Sequence, residues 1–235
     1  KTELTEEEKE LINKAVKESG LTGAVHIRLY VDKYYNKTLP YNKVHKHLLK
    51  QGLSKEDSEK KKQRKYSKYE RKHSFSLFHL DWHDSKVIKG KYVCVVEDDA
   101  SRKIICGGEF DTEEAKHNIK LMKKAIEIAF NRYSSVVREC NTDKGSQFYC
   151  NKSDDQGNRG KTEFELFLAK QGINHIPSRK NHPQTNGKNE RWFRTYEEHR
   201  GRFKTFEEFI NWYNNKIHLG LNRKKGITPN EAIGF

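Results

Sequence analysis

Residues 54–74, SKEDSEKKKQRKYSKYERKHS, contain no aliphatic side chain. Between Lys60 and Lys72 stand eight Lys and Arg against one acid, Glu70. Burial of apolar surface drives folding, so this stretch cannot contribute to a core. The chain is therefore expected to fold as two pieces, residues 1–53 and residues 75–235, joined by a basic linker or arm. Tyr66 and Tyr69 lie among the cations. That mixture suits a nucleic-acid backbone, although a solvated linker is the commoner meaning of such a run.

The first piece reads as helical. Thr5 opens TEEEKELINKAVKESG and forms a capping-box pair with Glu8, acids fill the first turn, and Gly20 closes the helix. A second helix is expected from Ala24 to Tyr35. NKTLP breaks it, and Pro40 suits the start of a third helix, YNKVHKHLLKQG. Val44 and Leu48, four residues apart, share its apolar face, with Asn42, Lys43, Lys46 and Lys50 mainly off it. Two short helices, a tight turn and a basic third helix form the pattern of a helix-turn-helix domain. A three-helix bundle with a solvated basic face gives the same pattern.

Over the whole chain 47 Lys and Arg outnumber 33 Asp and Glu, for a net charge of +14. Such an excess favours a polyanion, because each neutralised phosphate releases a counterion. Nucleic acid is the expected partner and an anionic membrane surface the rival. No run of about 18 apolar residues marks a membrane-spanning helix, and no charged-then-apolar signal segment opens the sequence. Lys1 stands where a start methionine would, which points to an upstream piece. The four cysteines, Cys94, Cys106, Cys140 and Cys150, form no C-x-x-C pair. Structural zinc and a disulfide framework are not expected, and the thiols suit a reducing cytoplasm.

From residue 75 the pattern changes. SLFHLDW alternates, with Phe78, Leu80 and Trp82 on one face and His79, Asp81 and His83 on the other. KYVCVVE and RKIICGGEF read as two more strands around the turn DDAS. A long amphipathic helix follows, with Ala115, Ile119, Met122, Ile126 and Ala129 on one stripe. SSVVREC is expected as a fourth strand running up to Asp143. KTEFELFLAKQG reads as a helix, INHIPS as a short strand, and NGKNERWFRTYEEH and TFEEFINWYNNK as two further helices. Three strands, a helix, then alternating strand and helix make an α/β layout with a mixed sheet.

Asp81 lies on a strand, Asp143 ends one, and Glu190 lies on a helix. Mg²⁺ takes oxygen ligands, usually a few carboxylates together with substrate phosphates. Two such ions about 4 Å apart can serve phosphodiester chemistry. Spacing alone does not single these three out among 33 acids. A lone Asp-x-Gly such as Asp143–Gly145 is most often a plain turn.

The ordered blocks resemble the DDE-type integrase and transposase family. HLDWHD is similar to its first strand, KGKYVCVVEDDASRKIICGGEF to its next hairpin, TDKGSQF to its second acidic block and NHPQTNGKNERWFRT to its third. YNNKIHLGLNRKKGITPNEAI resembles the tail of bacterial and archaeal insertion-sequence transposases. The resemblance spans about residues 75–235. It implies a ribonuclease-H-like mixed five-stranded sheet flanked by helices, preceded by an all-α helix-turn-helix domain. It places Asp81, Asp143 and Glu190 at the catalytic positions, holding Mg²⁺ or Mn²⁺, two ions in all. It implies strand cleavage and strand transfer on double-stranded DNA, at element ends and target, by a homodimer or higher homo-oligomer. The setting would be the prokaryotic cytoplasm, on the nucleoid.

DNA contacts are expected from Tyr41, Asn42, Lys43 and Lys46 on the third helix. In the linker they are expected from Lys60, Lys61, Lys62, Arg64 and Lys65, and on the later helix from Arg194. For Arg194 a surface salt bridge with Glu190 or Glu198 is an equal alternative. Asp98 and Asp99 are expected to cap backbone in the hairpin turn. His79, Asp81 and His83 could instead form a transition-metal site, but no further ligand spacing supports it. Trp192, Phe193, Phe206, Phe209 and Trp212 read as core. Two departures stand out. The 46 residues between Asp143 and Glu190 exceed the family's usual spacing, with the surplus in CNKSDDQGNRGK. The N-terminus also lacks the His-His-Cys-Cys zinc domain of retroviral integrases. The alternative functions are a domesticated DNA-binding protein without catalysis and a ribonuclease-H-like nuclease without strand transfer.

Overall fold

The computed structural model of the chain describes residues 3–54, 70–153, 157, 159–178, 183–222 and 224–234, with backbone alone at 183–186. Lys60, Lys61, Lys62, Arg64 and Lys65 fall outside the described residues. Contacts divide the chain into two units: Lys1–Lys68 with Lys216–Thr228, and Tyr69–Asn215 with Pro229–Phe235.

In the first unit, α1 (Glu6–Ser19) starts at the capping box. The Glu8 amide donates to Thr5 Oγ1 at 3.2 Å and the Thr5 amide to Glu8 Oε2 at 3.0 Å. Gly20, at φ 67°, ends it in the left-handed region. α2 (Ala24–Tyr35) and α3 (Tyr41–Lys50) follow. Ile12, Ala15, Ile27, Val31, Val44 and Leu48 are fully buried together. On α3, Tyr41, Asn42 and Lys46 are exposed and Lys43 is half-buried. Residues 216–228, expected with the C-terminal piece, group with these helices: Lys33 Nζ donates to Gly226 O at 3.2 Å. A long-range return of this kind leaves no local sequence signal.

The second unit is built on one sheet. β1 (Leu77–Asp84), β2 (Tyr92–Asp98) and β3 (Ile104–Phe110) are antiparallel neighbours. β4 (Glu139–Thr142) pairs parallel with β1, and β5 (Asn174–Pro177) parallel with β4, giving the order β3-β2-β1-β4-β5. Parallel partners need crossovers, here α4 (Ala115–Tyr133) and α5 (Glu163–Lys170). Three antiparallel strands followed by two parallel ones, with helices on both faces, form the ribonuclease-H-like arrangement.

The alternation of β1 sorts the two faces. Phe78, Leu80 and Trp82 join Cys94 and Val96 in a core under α4 and α5. The opposite face, with Val93 and Val95, packs against Trp192, Tyr196, Phe209 and Tyr213 of α6 (Pro183–His199) and α7 (Phe206–Asn215). A short α8 (Pro229–Ala232) closes the unit. β4 starts five residues later than SSVVREC suggests. Ser134 ends α4 in the left-handed region at φ 49°, and Val136 is 72% exposed, so its β-branched side chain has no sheet neighbour to favour a strand. α6 starts at Pro183, three residues before the expected start at Asn186.

Candidate active site

The parallel register of β1 and β4 places the first two acids. Leu77 pairs with Glu139, Phe78 with Cys140 and His79 with Asn141. Two residues beyond that last pair come Asp81, still on β1, and Asp143, one residue past the end of β4. The Asp81 carboxyl is pushed up to about 7, by burial first and by the charge of Asp143 second. The Trp82 amide donates to Asp81 Oδ1 at 2.9 Å, and Asn189 Nδ2 lies 3.5 Å from Asp81 Oδ2. Glu113, just before α4, is raised by burial and then by Asp143, so a third acid stands in the same field.

Asp143 is both turn former and site residue. Its Oδ1 accepts from the Gly145 amide at 2.9 Å, and the Phe148 amide donates to Gly145 O at 2.9 Å. Phe148 is fully buried against Phe164, which seats the turn in the core. Asn118 of α4 adds a tie, accepting from Trp82 Nε1 at 2.8 Å and donating to Gln147 O at 3.4 Å.

Glu190 sits differently. α6 is rotated by its apolar stripe: Asn189, Trp192, Phe193 and Tyr196 are buried, at the i, i+3, i+4, i+7 spacing of one helix face. Glu190 is one residue off that stripe and exposed, and Asn189 takes the place facing Asp81. Asp81 and Asp143 are therefore brought together, whereas among the described residues no group of three His, Cys, Asp or Glu could hold a metal ion.

The remaining candidates have protein partners or open surface. His83 Nε2 lies 2.8 Å from Glu197 Oε1 and its ring stacks on Phe193. His79 is buried between Asp99 and Asn141. Both imidazoles are thus engaged within the protein. Asp98 accepts from the Phe75 and Ser101 amides at 2.7 and 2.8 Å, the capping expected of the hairpin turn. Arg194 is exposed and makes no ion pair among the described residues. Asn189, Lys188 and Glu197 are contacts that the sequence reading missed. Their i−1, i−2 and i+7 places around Glu190 were visible, but the rotation of the helix was not.

Within the surplus between Asp143 and Glu190, Arg159 reaches Glu165 on α5. Arg159 donates to Glu165 Oε1 at 2.8 Å and Oε2 at 3.1 Å, and lies 3.9 Å over the Tyr149 ring. It borders a cavity of about 270 Å³ lined by Lys161, His175 and Pro177 among others.

A protein of Spiroplasma virus SpV1-C74 named "Putative integrase ORF3" is 31% identical over 99 residues, 42% of this chain and 27% of that protein. The chain thus spans about a quarter of that relative's length. The catalytic core domain of BIV integrase shares 18% identity, over 66% of this chain and 91% of that one, with a TM-score of 0.45. A chain of the simian T-cell lymphotropic virus intasome in complex with PP2A regulatory subunit B56 gamma shares 13%, over 71% and 57%, with a TM-score of 0.48. Residues 71–183 match the family model of the integrase core domain. That match takes in Asp81 and Asp143 and stops short of Glu190. Over residues 71–183, a little under half of its length, the chain is thus similar to an integrase core domain.

Proposed function

We propose that the chain is a transposase or integrase of a prokaryotic mobile element, a polynucleotidyl transferase. It cuts one DNA strand at the element end and joins the freed 3′-hydroxyl to target DNA. The observation that carries this reading is the pair Asp81, on β1, and Asp143, just past the end of β4, close enough for the charge of Asp143 to raise the Asp81 carboxyl and both within the stretch similar to an integrase core domain.

The donor chemistry fits a divalent cation. Burial first and the charge of Asp143 second raise the Asp81 carboxyl, and hard oxygen donors suit Mg²⁺ or Mn²⁺. Asp81 and Asp143 would hold it, with Glu190 as the third ligand from α6. Bound there, the metal would supply Lewis-acid activation of the attacking oxygen and charge neutralisation at the leaving one.

The chain's own groups prepare that chemistry. Asp81 has to release its proton to bind a cation, and the Trp82 amide and Asn189 amide favour the ionised form. The Gly145 amide fixes one oxygen of Asp143 and so orients the other. Lys43, Lys46 and the linker cations Lys60, Lys61, Lys62, Arg64 and Lys65 bind phosphate, with Arg194 doing so beside the site. Tyr41 and Asn42, at the N-terminal end of α3, read base edges in the major groove. The acting form is a homodimer or higher oligomer on DNA. No described helix is long and apolar enough to cross a membrane.

A strand-transfer assay tests the reading. Purified protein, a labelled duplex of an element end, a supercoiled target and Mg²⁺ should give joined products. Nicking without joining would leave a nuclease, and binding without nicking a DNA-binding protein.

A further inference from the structure

The three acids share a pattern one step upstream. His79 stands two residues before Asp81, Asn141 two before Asp143 and Lys188 two before Glu190. Along a strand, residues two apart share a face and lie about 6.6 Å from each other. His79 and Asn141 thus form a row directly below the two aspartates, paired across β1 and β4.

That row is linked. His79 Nδ1 lies 3.1 Å from Asn141 Oδ1, and His79 Nε2 lies 2.6 Å from Asp99 Oδ1. Asp99, in the β2–β3 turn, also takes the Lys188 ammonium as an ion pair, and Lys188 Nζ donates to Asp99 O at 3.4 Å. The Arg71 amide donates to Asp99 Oδ2 at 2.5 Å. At the far end Asn141 Nδ2 donates to Ile176 O at 2.7 Å on β5. His79, Asp99 and Asn141 are each at most 1% exposed.

We propose that Lys188, Asp99, His79 and Asn141 form a positioning layer that holds the three acid-bearing elements in register. The inference rests on the transferase reading above. The strands are already fixed to each other by backbone hydrogen bonds, so the layer matters most for α6. The helix carries Glu190 and is joined to the sheet here by the Lys188–Asp99 pair. Misplacing a reacting group by about 1 Å can cost on the order of 100-fold in rate. Lys188 is a positioning residue: it acts through the place it gives Glu190.

The experiment uses the full chain with Lys188→Met, Asp99→Asn, the double variant and Lys188→Arg. Removing Lys188 leaves Asp99 with His79 and the Arg71 amide, so Lys188→Met should fold. If it does not, Lys188→Gln, which keeps the stem and a donor, takes its place. In Lys188→Met, hydrogen exchange of the amides of residues 187–191 should rise about tenfold or more. The kcat for strand cleavage should fall by on the order of 10- to 100-fold, with the KM for the DNA end within about twofold. The double variant should be no worse than the more impaired single one, because both break one link, and Lys188→Arg should recover most of the kcat. Unchanged exchange and kcat in Lys188→Met would overturn the inference. So would a loss confined to KM, which would make Lys188 a DNA contact. An unaltered chain that cuts no DNA would sink the transferase reading, while exchange at α6 would still decide whether the layer holds the helix.

Discussion

Glu197 Oε1 lies 2.8 Å from His83 Nε2 and 3.0 Å from the Lys86 amide, so one carboxylate on α6 ties the end of β1 and the loop after it. Position 197 returns to the side of Glu190 two turns, about 10 Å, further along the helix. That distance is too long to share an ion held at about 2.1 Å. Glu197 is thereby a structural acid. Glu197→Gln keeps one acceptor oxygen and is expected to cost about 1 kcal/mol in a thermal melt while retaining most cleavage activity. Glu198→Gln, at an exposed position, should change neither.

The Asp81 carboxyl titrates at about 7 in the fold, against 3.8 ordinarily. A carboxyl raised by folding binds its proton more tightly in the folded chain. Its contribution is therefore fully present below about pH 4 and is lost as pH rises through 7. Buried Glu97, also pushed up to about 7 by its burial, acts in the same direction. Melting of the metal-free protein should accordingly rise as pH falls from 8 towards 5. Asp143→Asn removes the charge that repels Asp81. It should stabilise the metal-free protein at pH 8 by on the order of 1 kcal/mol and flatten that pH profile. Mg²⁺ should raise the melting point of the unaltered protein more than that of the variant. Equal metal shifts in both would count against a site at Asp143.

For DNA, the α3 positions and the linker should separate in kind. Tyr41→Ala and Asn42→Ala are expected to reduce preference for the element end, by about 1–3 kcal/mol per lost base contact. Alanines at Lys60, Lys61, Lys62, Arg64 and Lys65 should weaken binding to every sequence alike. Each lost phosphate contact should also lower the slope of log affinity against log salt by about 0.9. Titrations of specific and scrambled duplexes at several salt concentrations check both. A linker variant that altered sequence preference would reverse the assignment.

Much of this architecture is visible in the sequence because it rests on local periodicity. The alternation from Leu77 to His83 placed Asp81, His79 and His83 on one face and Trp82 on the other, and the core clusters follow that division. The Thr5 and Gly20 signals bound α1 as expected, because caps are set by neighbours in sequence. What escaped depends on distant packing. The exposed Val136 looked like strand and is loop. The grouping of 216–228 with α1–α3 depends on contacts such as Lys33 to Gly226. At the site, the motif NGKNER marks the segment but not its rotation. Trp192 and Tyr196 turn Asn189 inward and Glu190 outward. Lys188 finds Asp99 only once the hairpin turn is built beside the helix.

The proposed mechanism depends most on Glu190, which lies beyond the family match and faces solvent. Glu190→Gln keeps the shape of the side chain and removes its charge. The direct measurement is strand cleavage and joining on a labelled element-end duplex with Mg²⁺ or Mn²⁺, run beside the unaltered protein and Glu197→Gln. Glu190→Gln should abolish both steps while folding and DNA binding persist, and Glu197→Gln should remain active. Near-normal cleavage by Glu190→Gln would contradict the assignment of the third acid and the mechanism built on it.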